Sequence, residues 1–249
     1  MTELKPDRKL LKSDLWGELR DVATDQQKKL PNPPLQQAYP ADAELIDLVA
    51  PADLTVGQLP VLAAISQRQS HRKFTEAALT LEELSFLCWA TQGMHEVWRG
   101  GIAMRRTVPS AGARHPFETY LVINRVDDVT PGLYRYLSLE HRLCQLCTDA
   151  DLAEHLSAAC HGQNFVGSSA VAFIWTAIPY RTEWRYSIIS PKLIALDAGH
   201  VCQNLYIAAE AIGAGTCAVG AYNQEALDGL LGVDGEEEFA IYVAPVGKV

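Results

Sequence analysis

Between Ser190 and Gly213 the sequence commits to one long helix, and that helix limits what the rest of the chain can be. Ser190-Pro191 reads as a helix opening, with proline at the first position, where its missing N–H costs nothing. Gly213 sits where a left-handed closing residue is expected. Along residues 190–212, Leu193, Leu196, Ala198, Val201, Leu205, Ala208, Ala209 and Ile212 cover much of the circumference. A helix that is small or apolar on more than one face needs neighbours on more than one face. It belongs in a core or at a subunit interface, and the remaining chain has to supply what surrounds it.

The surroundings read as strands and shorter helices. Residues 117–124 are aromatic and β-branched, residues 132–137 and 142–146 read as a hairpin, and residues 170–177 are almost wholly apolar, as in a strand covered on both faces. Residues 216–219 and 238–245 predict a last pair of strands around a helix at 223–231, and a further helix runs from Asp149 or Asp151 to about Ala159. Thr80 with Glu83 forms a capping box for a helix over residues 81–92 ending near Gly93, and residues 58–65 predict a short apolar helix. The body is therefore α+β, one sheet with helices on it.

Residues 1–57 differ in kind. Leu11, Leu15, Leu19 and Val22 are spaced for an amphipathic helix over residues 8–30, followed by a proline-stiffened extended arm at residues 30–40. This reads as an extension wrapping a body that spans residues 58–249; a disordered tail is the other reading. The start of the chain leads into mixed charges, so neither a signal peptide nor a spanning helix is expected, and the chain reads as cytoplasmic. A net charge of -9 without a Lys/Arg cluster argues against nucleic acid. Six scattered cysteines suit reduced thiols. A zinc site from Cys144, Cys147, Cys160 and His161 is disfavoured, because residues three apart on a strand face opposite ways, and no metal is expected.

Three stretches carry chemistry. Pro109-Ser110-Ala111-Gly112-Ala113 is a run of tiny side chains ending in Arg114, His115 and Pro116, low enough for backbone to approach something flat; an ordinary helix start is the alternative. Arg68-x-Ser70-x-Arg72 places two guanidinium forks and a hydroxyl on one face of an extended segment, a phosphate grip or a solvated charged turn. The glycines at 213, 215 and 220 follow a helix and precede a strand, the reverse of a dinucleotide fingerprint, and suit a close approach of backbone to a ring or a helix cap followed by a turn.

In this order the stretches resemble the flavin-dependent nitroreductase superfamily, and within it the SagB-type oxidase branch, over roughly residues 58–248. The resemblance implies a central, mostly antiparallel sheet surrounded by helices, in an intertwined homodimer. It implies FMN, with Arg68, Ser70, Arg72 and C-terminal Lys248 on its phosphate. Pro109, Ser110, Ala111 and Gly112 would lie against the ring with Arg114 as a further contact, and the backbone of Val219 and Gly220 would lie at N5. It implies ping-pong hydride transfer between NAD(P)H or an organic donor and a small organic acceptor. The alternatives are a SagB-type azoline or peptide dehydrogenase and a flavin-binding protein without turnover. Azole-forming members are similar in carrying a Lys-Tyr pair before the central helix, where this chain has Trp184-Arg185-Tyr186. Arginine stays charged and is a poor base. Tyr186 and His115 are the candidate proton donors or acceptors.

Overall fold

The computed structural model describes residues 8–249, apart from the side chains of Leu10 and Arg99. The reading of the chain's start, residues 1–6, lies outside the described residues. In chain order the elements are α1 (Leu15–Glu18), β1 (Leu45–Asp47), α2 (Val61–Gln67), α3 (Leu81–Gln92), β2 (Met94–Trp98), β3 (Ala103–Arg106), β4 (Phe117–Ile123), β5 (Gly132–Leu137), β6 (Arg142–Cys147), α4 (Leu152–Ala159), α5 (Asn164–Gly167), β7 (Val171–Ala177), α6 (Tyr180–Tyr186), α7 (Ser190–Ala211), β8 (Ala214–Thr216), α8 (Gln224–Leu231) and β9 (Phe239–Lys248).

Among the described residues, seven strands form one sheet in the order β1-β6-β5-β4-β7-β9-β8, every pair antiparallel, while β2 and β3 form a separate hairpin. β4 and β7 lie at the centre and are buried at every position, which explains why residues 170–177 need no polar alternation. The alternation of β4 still sorts its side chains. Phe117, Leu121 and Ile123 pack in the cluster that contains α3 and α7, while Tyr120 and Val122 pack with α4 and α8.

α7 runs from Ser190 to Ala211, with Pro191 in its first turn and Gly213 at φ +64° just beyond it. Ile194, Ala198, Val201, Leu205 and Ala209 form the buried stripe against the sheet. Leu196 stays 53 % exposed, so the side of the helix away from the sheet is uncovered in the single chain. The capping box of α3 is formed reciprocally, Glu83 N–H donating to Thr80 Oγ1 (3.1 Å) and Thr80 N–H to Glu83 Oε2 (3.0 Å).

The amphipathic helix expected over residues 8–30 does not form. Its place is taken by α1, flanking 3-10 turns at Lys9–Leu11 and Leu19–Asp21, and a separate turn beyond Thr24. Local hydrogen bonding explains the break, because Thr24 N–H donates to Gln27 Oε1 (2.8 Å) and Gln27 N–H to Thr24 Oγ1 (3.3 Å), a cap that starts a new turn. Lys29, at φ 61°, ends that turn. The strand expected at 216–219 is also shifted: β8 covers Ala214–Thr216, and Val219 keeps an isolated bridge to Val243.

The proline arm is laid along the body. Trp184 Nε1 donates to Leu30 O (3.1 Å), Arg181 Nε to Pro34 O (2.9 Å), and Arg135 to Gln37 O (3.2 Å) and Ala38 O (2.8 Å). A chain that cannot pair its own carbonyls is thus satisfied by buried donors of the sheet and α6. Beneath the arm, Arg181 and Glu118, 2 % and 4 % exposed, form an ion pair of 2.5 Å. Beyond the arm, β1 continues the sheet as an edge strand beside β6. On β6 itself Cys144 is buried and Cys147 exposed, but the expected opposition of residues three apart is undone by a bulge: Cys144 pairs with Arg135 and Cys147 with Leu133, two positions that share a face of β5.

Candidate active site

Two stations along α7 gather the residues singled out from sequence. The first lies around Asp197. Ser110 Oγ donates to Asp197 Oδ2 (2.5 Å), Ala111 N–H reaches both carboxylate oxygens (3.1 Å), and His115 N–H closes the loop onto Ser110 Oγ (2.9 Å). These bonds hold a backbone that few residues adopt unaided, with Gly112 at φ 58°, Ala113 at 55° and His115 at 48°. Burial pushes the Asp197 carboxyl up from the usual carboxylate range, and the bonds from Ser110 and Ala111 oppose that.

Gly112 is required by its neighbours as well as its backbone. A Cβ there would stand 2.7 Å from the Tyr186 hydroxyl and 3.0 Å from Cδ and Nε of Arg185. The end of α6 therefore rests directly on the loop. Trp16 meets the Tyr186 ring edge-on, with centroids 6.2 Å apart at 72°. Ser187, at φ 44° and ψ −126°, turns the chain out of α6 toward α7.

Arg114 and His115 leave that loop inward. The Arg114 guanidinium donates to Arg181 O, Ile102 O and Asn32 Oδ1 and lies 4.8 Å over the Trp184 ring. It ties loop, arm and α6 together, and burial with the neighbouring charges of Arg185 and Arg181 lowers its pKa to about 10, still charged at neutral pH. His115 Nε2 is 3.0 Å from Met104 O. Burial, then the Arg106 charge, lowers its pKa to about 3, so the ring is neutral near pH 7. An imidazolium is not at hand there to donate a proton.

The second station lies about 13 Å further along α7, nine residues from Asp197 to Tyr206 at 1.5 Å each. The Tyr206 hydroxyl accepts from Ala218 N–H (2.9 Å) and bonds Ser70 Oγ (3.0 Å), while Arg68 lies 5.3 Å over its ring. The segment after α2 is stitched to the sheet end by His71 N–H to Thr216 O (2.9 Å) and Thr75 N–H to Lys248 O (2.8 Å). Gly215 and Gly247 permit this crossing, since a Cβ on either would stand within 2.8 Å of His71 or Phe74. Ser70 is thus bridged to Thr216 and meets the Ala218 backbone on the Tyr206 hydroxyl, while the backbone of Lys248 lies beside Thr75. Arg72 is exposed, and neither it nor Arg68 has a carboxylate partner among the described ion pairs. Lys248 is engaged, its Nζ 2.5 Å from Glu83 Oε1 and 2.8 Å from Ile212 O. Gly220 is open, nothing lying within 4 Å of where a Cβ would be.

Asp197 and Tyr206, which the motif reading did not single out, are the side chains on which each station is hydrogen-bonded together. A carboxylate on the buried stripe between Ile194 and Val201 was a usable signal for the first; a lone tyrosine gave none for the second. Among the described residues no group of three or more His, Cys, Asp or Glu is placed to hold a metal ion, and no helix is long and apolar enough to cross a membrane.

Residues 65–248 match the nitroreductase family, and that span contains both stations. The chain belongs to the nitroreductase family. It is 31% identical over 182 residues to the Methanocaldococcus jannaschii protein MJ1384, itself named a nitroreductase, covering 73% of this chain and 87% of that one. Membership makes the chain an oxidoreductase, and its sheet has the nitroreductase fold. The crystal structure of a nitroreductase-named protein from Ralstonia eutropha JMP134 superposes with a TM-score of 0.67 at 27% identity, over 88% of this chain and 99% of that one. A chain of the E. coli microcin synthetase McbBCD complex, solved with truncated pro-MccB17 bound, shares the fold at 18% identity and a TM-score of 0.61. That match covers 100% of this nitroreductase-family chain and 98% of the other.

Proposed function

We propose that the chain is an FMN-dependent oxidoreductase working as a homodimer, with the flavin phosphate at the Tyr206 station and the ring beside the Asp197 station. The observation that carries this reading is the pair of guanidiniums, Arg68 and Arg72, left without carboxylates around the exposed Ser70 hydroxyl. Two cationic forks with an adjacent hydroxyl suit a dianionic phosphate. The ring side fits as well. The 109–112 loop carries only small side chains, and Gly220 leaves room for a planar group to approach its backbone. FMN bound there supplies two-electron chemistry between NAD(P)H or an organic donor and an organic acceptor.

The chain's own part is to bind, orient and manage protons. Asp197 fixes the Pro109–Gly112 backbone before any ligand arrives. Tyr186 holds the one phenol against that loop and is the candidate proton donor, while His115 supports the loop from within. The uncovered side of α7, together with exposed Val61, Leu62 and Ile65 on α2 and a groove of about 500 Å³ between α2, α3 and α7, suits a second copy of the chain. A peptide substrate is the second reading, favoured by the fold match to a microcin synthetase chain that includes the N-terminal arm. Arg185 in place of a titratable lysine weighs against azoline oxidation.

The test is reconstitution. Purified protein with FMN should turn yellow and gain about 2.7 kcal/mol of stability at a hundredfold excess over Kd. Absence of both sinks the flavin reading. Anaerobic addition of NADPH or NADH then separates the remaining cases, with rapid stoichiometric bleaching expected for a reductase, slow bleaching for a peptide oxidase and none for a binding protein. Tyr186→Phe should lower turnover, and unchanged kcat with the same acceptor would remove Tyr186 from the chemistry.

A further inference from the structure

Most arginines of this region already have hydrogen-bond acceptors. Arg181 pairs with Glu118, Arg114 donates to two carbonyls and Asn32, Arg106 donates to Gln92 Oε1 (2.8 Å), and Arg135 holds the carbonyls of the arm. Arg185 has neither a hydrogen bond nor an ion pair among the described residues. Its guanidinium lies 5.7 Å over the Tyr186 ring. Glu183, two residues earlier on α6, lies round the helix in a pocket with Asp25, Lys28 and Tyr180, so it does not supply the missing charge. The Arg185 stem meanwhile rests on the ring-side loop, Cδ and Nε 3.0 Å from the Gly112 Cβ position, and Trp16, 46 % exposed, flanks Tyr186.

We infer that Arg185 is a specificity-determining residue that pairs with a carboxylate on the substrate, so that the enzyme selects organic acids whose apolar part packs against Tyr186 and Trp16. A planar fork without a counter-ion, set beside two aromatic rings at the edge of the proposed ring site, is matched by a bidentate carboxylate carrying an aromatic or unsaturated body. The charge balance points the same way. Arg114 feels the charges of both Arg185 and Arg181, and the nearby carboxylate Glu118 is spent in its ion pair with Arg181. An anion in front of Arg185 relieves that excess, whereas a neutral ligand leaves it. Lysine would supply the charge without the two-pronged geometry, which is why the arginine here is read as recognition and not as acid–base chemistry. The inference rests on the proposed function only for the word substrate; anion binding at Arg185 stands on the geometry alone.

The experiment is equilibrium binding, followed by tryptophan fluorescence on the FMN-loaded protein without reductant, of 3-phenylpropanoate against its uncharged isostere 3-phenylpropanamide. The carboxylate should bind roughly 10- to 100-fold more tightly than the amide. Arg185→Gln should abolish that difference by weakening the carboxylate alone, and Arg185→Lys should keep a fraction of it. Equal binding of acid and amide to the wild-type protein, or an unchanged ratio in Arg185→Gln, overturns the inference. If the protein takes up no FMN, the functional reading fails, and the same two titrations on the flavin-free protein still decide whether Arg185 selects a carboxylate.

Discussion

At the Asp197 end of α7 the polar groups of the loop are paired, whereas at the Tyr206 end two guanidiniums have no counter-ion among the described residues. Ser110 Oγ and Ala111 N–H are held by the buried Asp197 carboxylate, and His115 N–H by Ser110 Oγ, before a ligand arrives. Arg68 lies over the Tyr206 ring and Arg72 is exposed, on a segment whose backbone, not its charges, is fixed to the sheet. One station is rigid because its strain has to be stored in the fold; the other keeps its charge available because its partner arrives from solution. Substitutions at the first should therefore cost stability, and substitutions at the second should cost affinity.

The largest expected effect is at Asp197. Asp197→Ala leaves the half-buried Ser110 Oγ and Ala111 N–H without their acceptor and releases three left-handed residues, so unfolding in urea should show a loss of about 3 kcal/mol. Asp197→Asn, which keeps one acceptor, should recover part of it. A loss below about 1 kcal/mol would mean that the loop is not strained against α7. Next comes the contrasting station. Arg72→Gln should leave flavin-free stability within about 0.5 kcal/mol, because the side chain is exposed and unpaired, yet weaken FMN roughly 10- to 100-fold by titration. If stability falls and affinity does not, the two stations are not different in kind.

How far the sequence disclosed this contrast depends on which forces set each feature. α7 was legible because its proline, its closing glycine and its apolar circumference are local signals, and the capping box of α3 was legible for the same reason. The loop at 109–112 announced itself through tiny residues. What holds the loop did not, because the Ser110–Asp197 bond joins positions 87 residues apart. Arg114 and His115 are polar residues beside a candidate site, and only the positions of Asn32, Ile102, Arg181 and Met104 turn them inward. Residues 8–30 misled in the opposite direction: the helical spacing is present, but Thr24 and Gln27 cap a new turn where the helix should have continued.

His115 offers a smaller effect, with its direction set by burial. Its folded pKa, about 3, lies below the ordinary 6.5, so the neutral ring is the form the fold prefers. The stability it contributes is fully present above about pH 6.5 and is lost as pH falls toward 3, at roughly 1.4 kcal/mol per pH unit where the unfolded ring is protonated and the folded one is not. Urea midpoints between pH 7 and 5 should show this slope in the wild-type protein and less of it in His115→Gln, which keeps a donor for Met104 O. Identical slopes in the two proteins would remove His115 from the acid lability of the loop.

The smallest effect should come from Lys248, which sequence resemblance assigns to the phosphate. Its ammonium is already held by Glu83 and by the Ile212 carbonyl, and Glu83 in turn caps α3 through its other oxygen. A cation neutralised in this way adds little field at Ser70, and the pair is partly open to water, so its removal costs little. Lys248→Gln should lower stability by less than about 1 kcal/mol and change the FMN Kd less than about threefold. A tenfold loss of affinity would instead mean that Lys248 leaves Glu83 when the phosphate arrives. The Tyr206 station would then be reorganised by its ligand, and the contrast with the prearranged Asp197 station would be larger than the flavin-free geometry implies. Glu83→Gln sharpens the same question, since freeing Lys248 from its partner should strengthen FMN only if the ammonium can reach the phosphate.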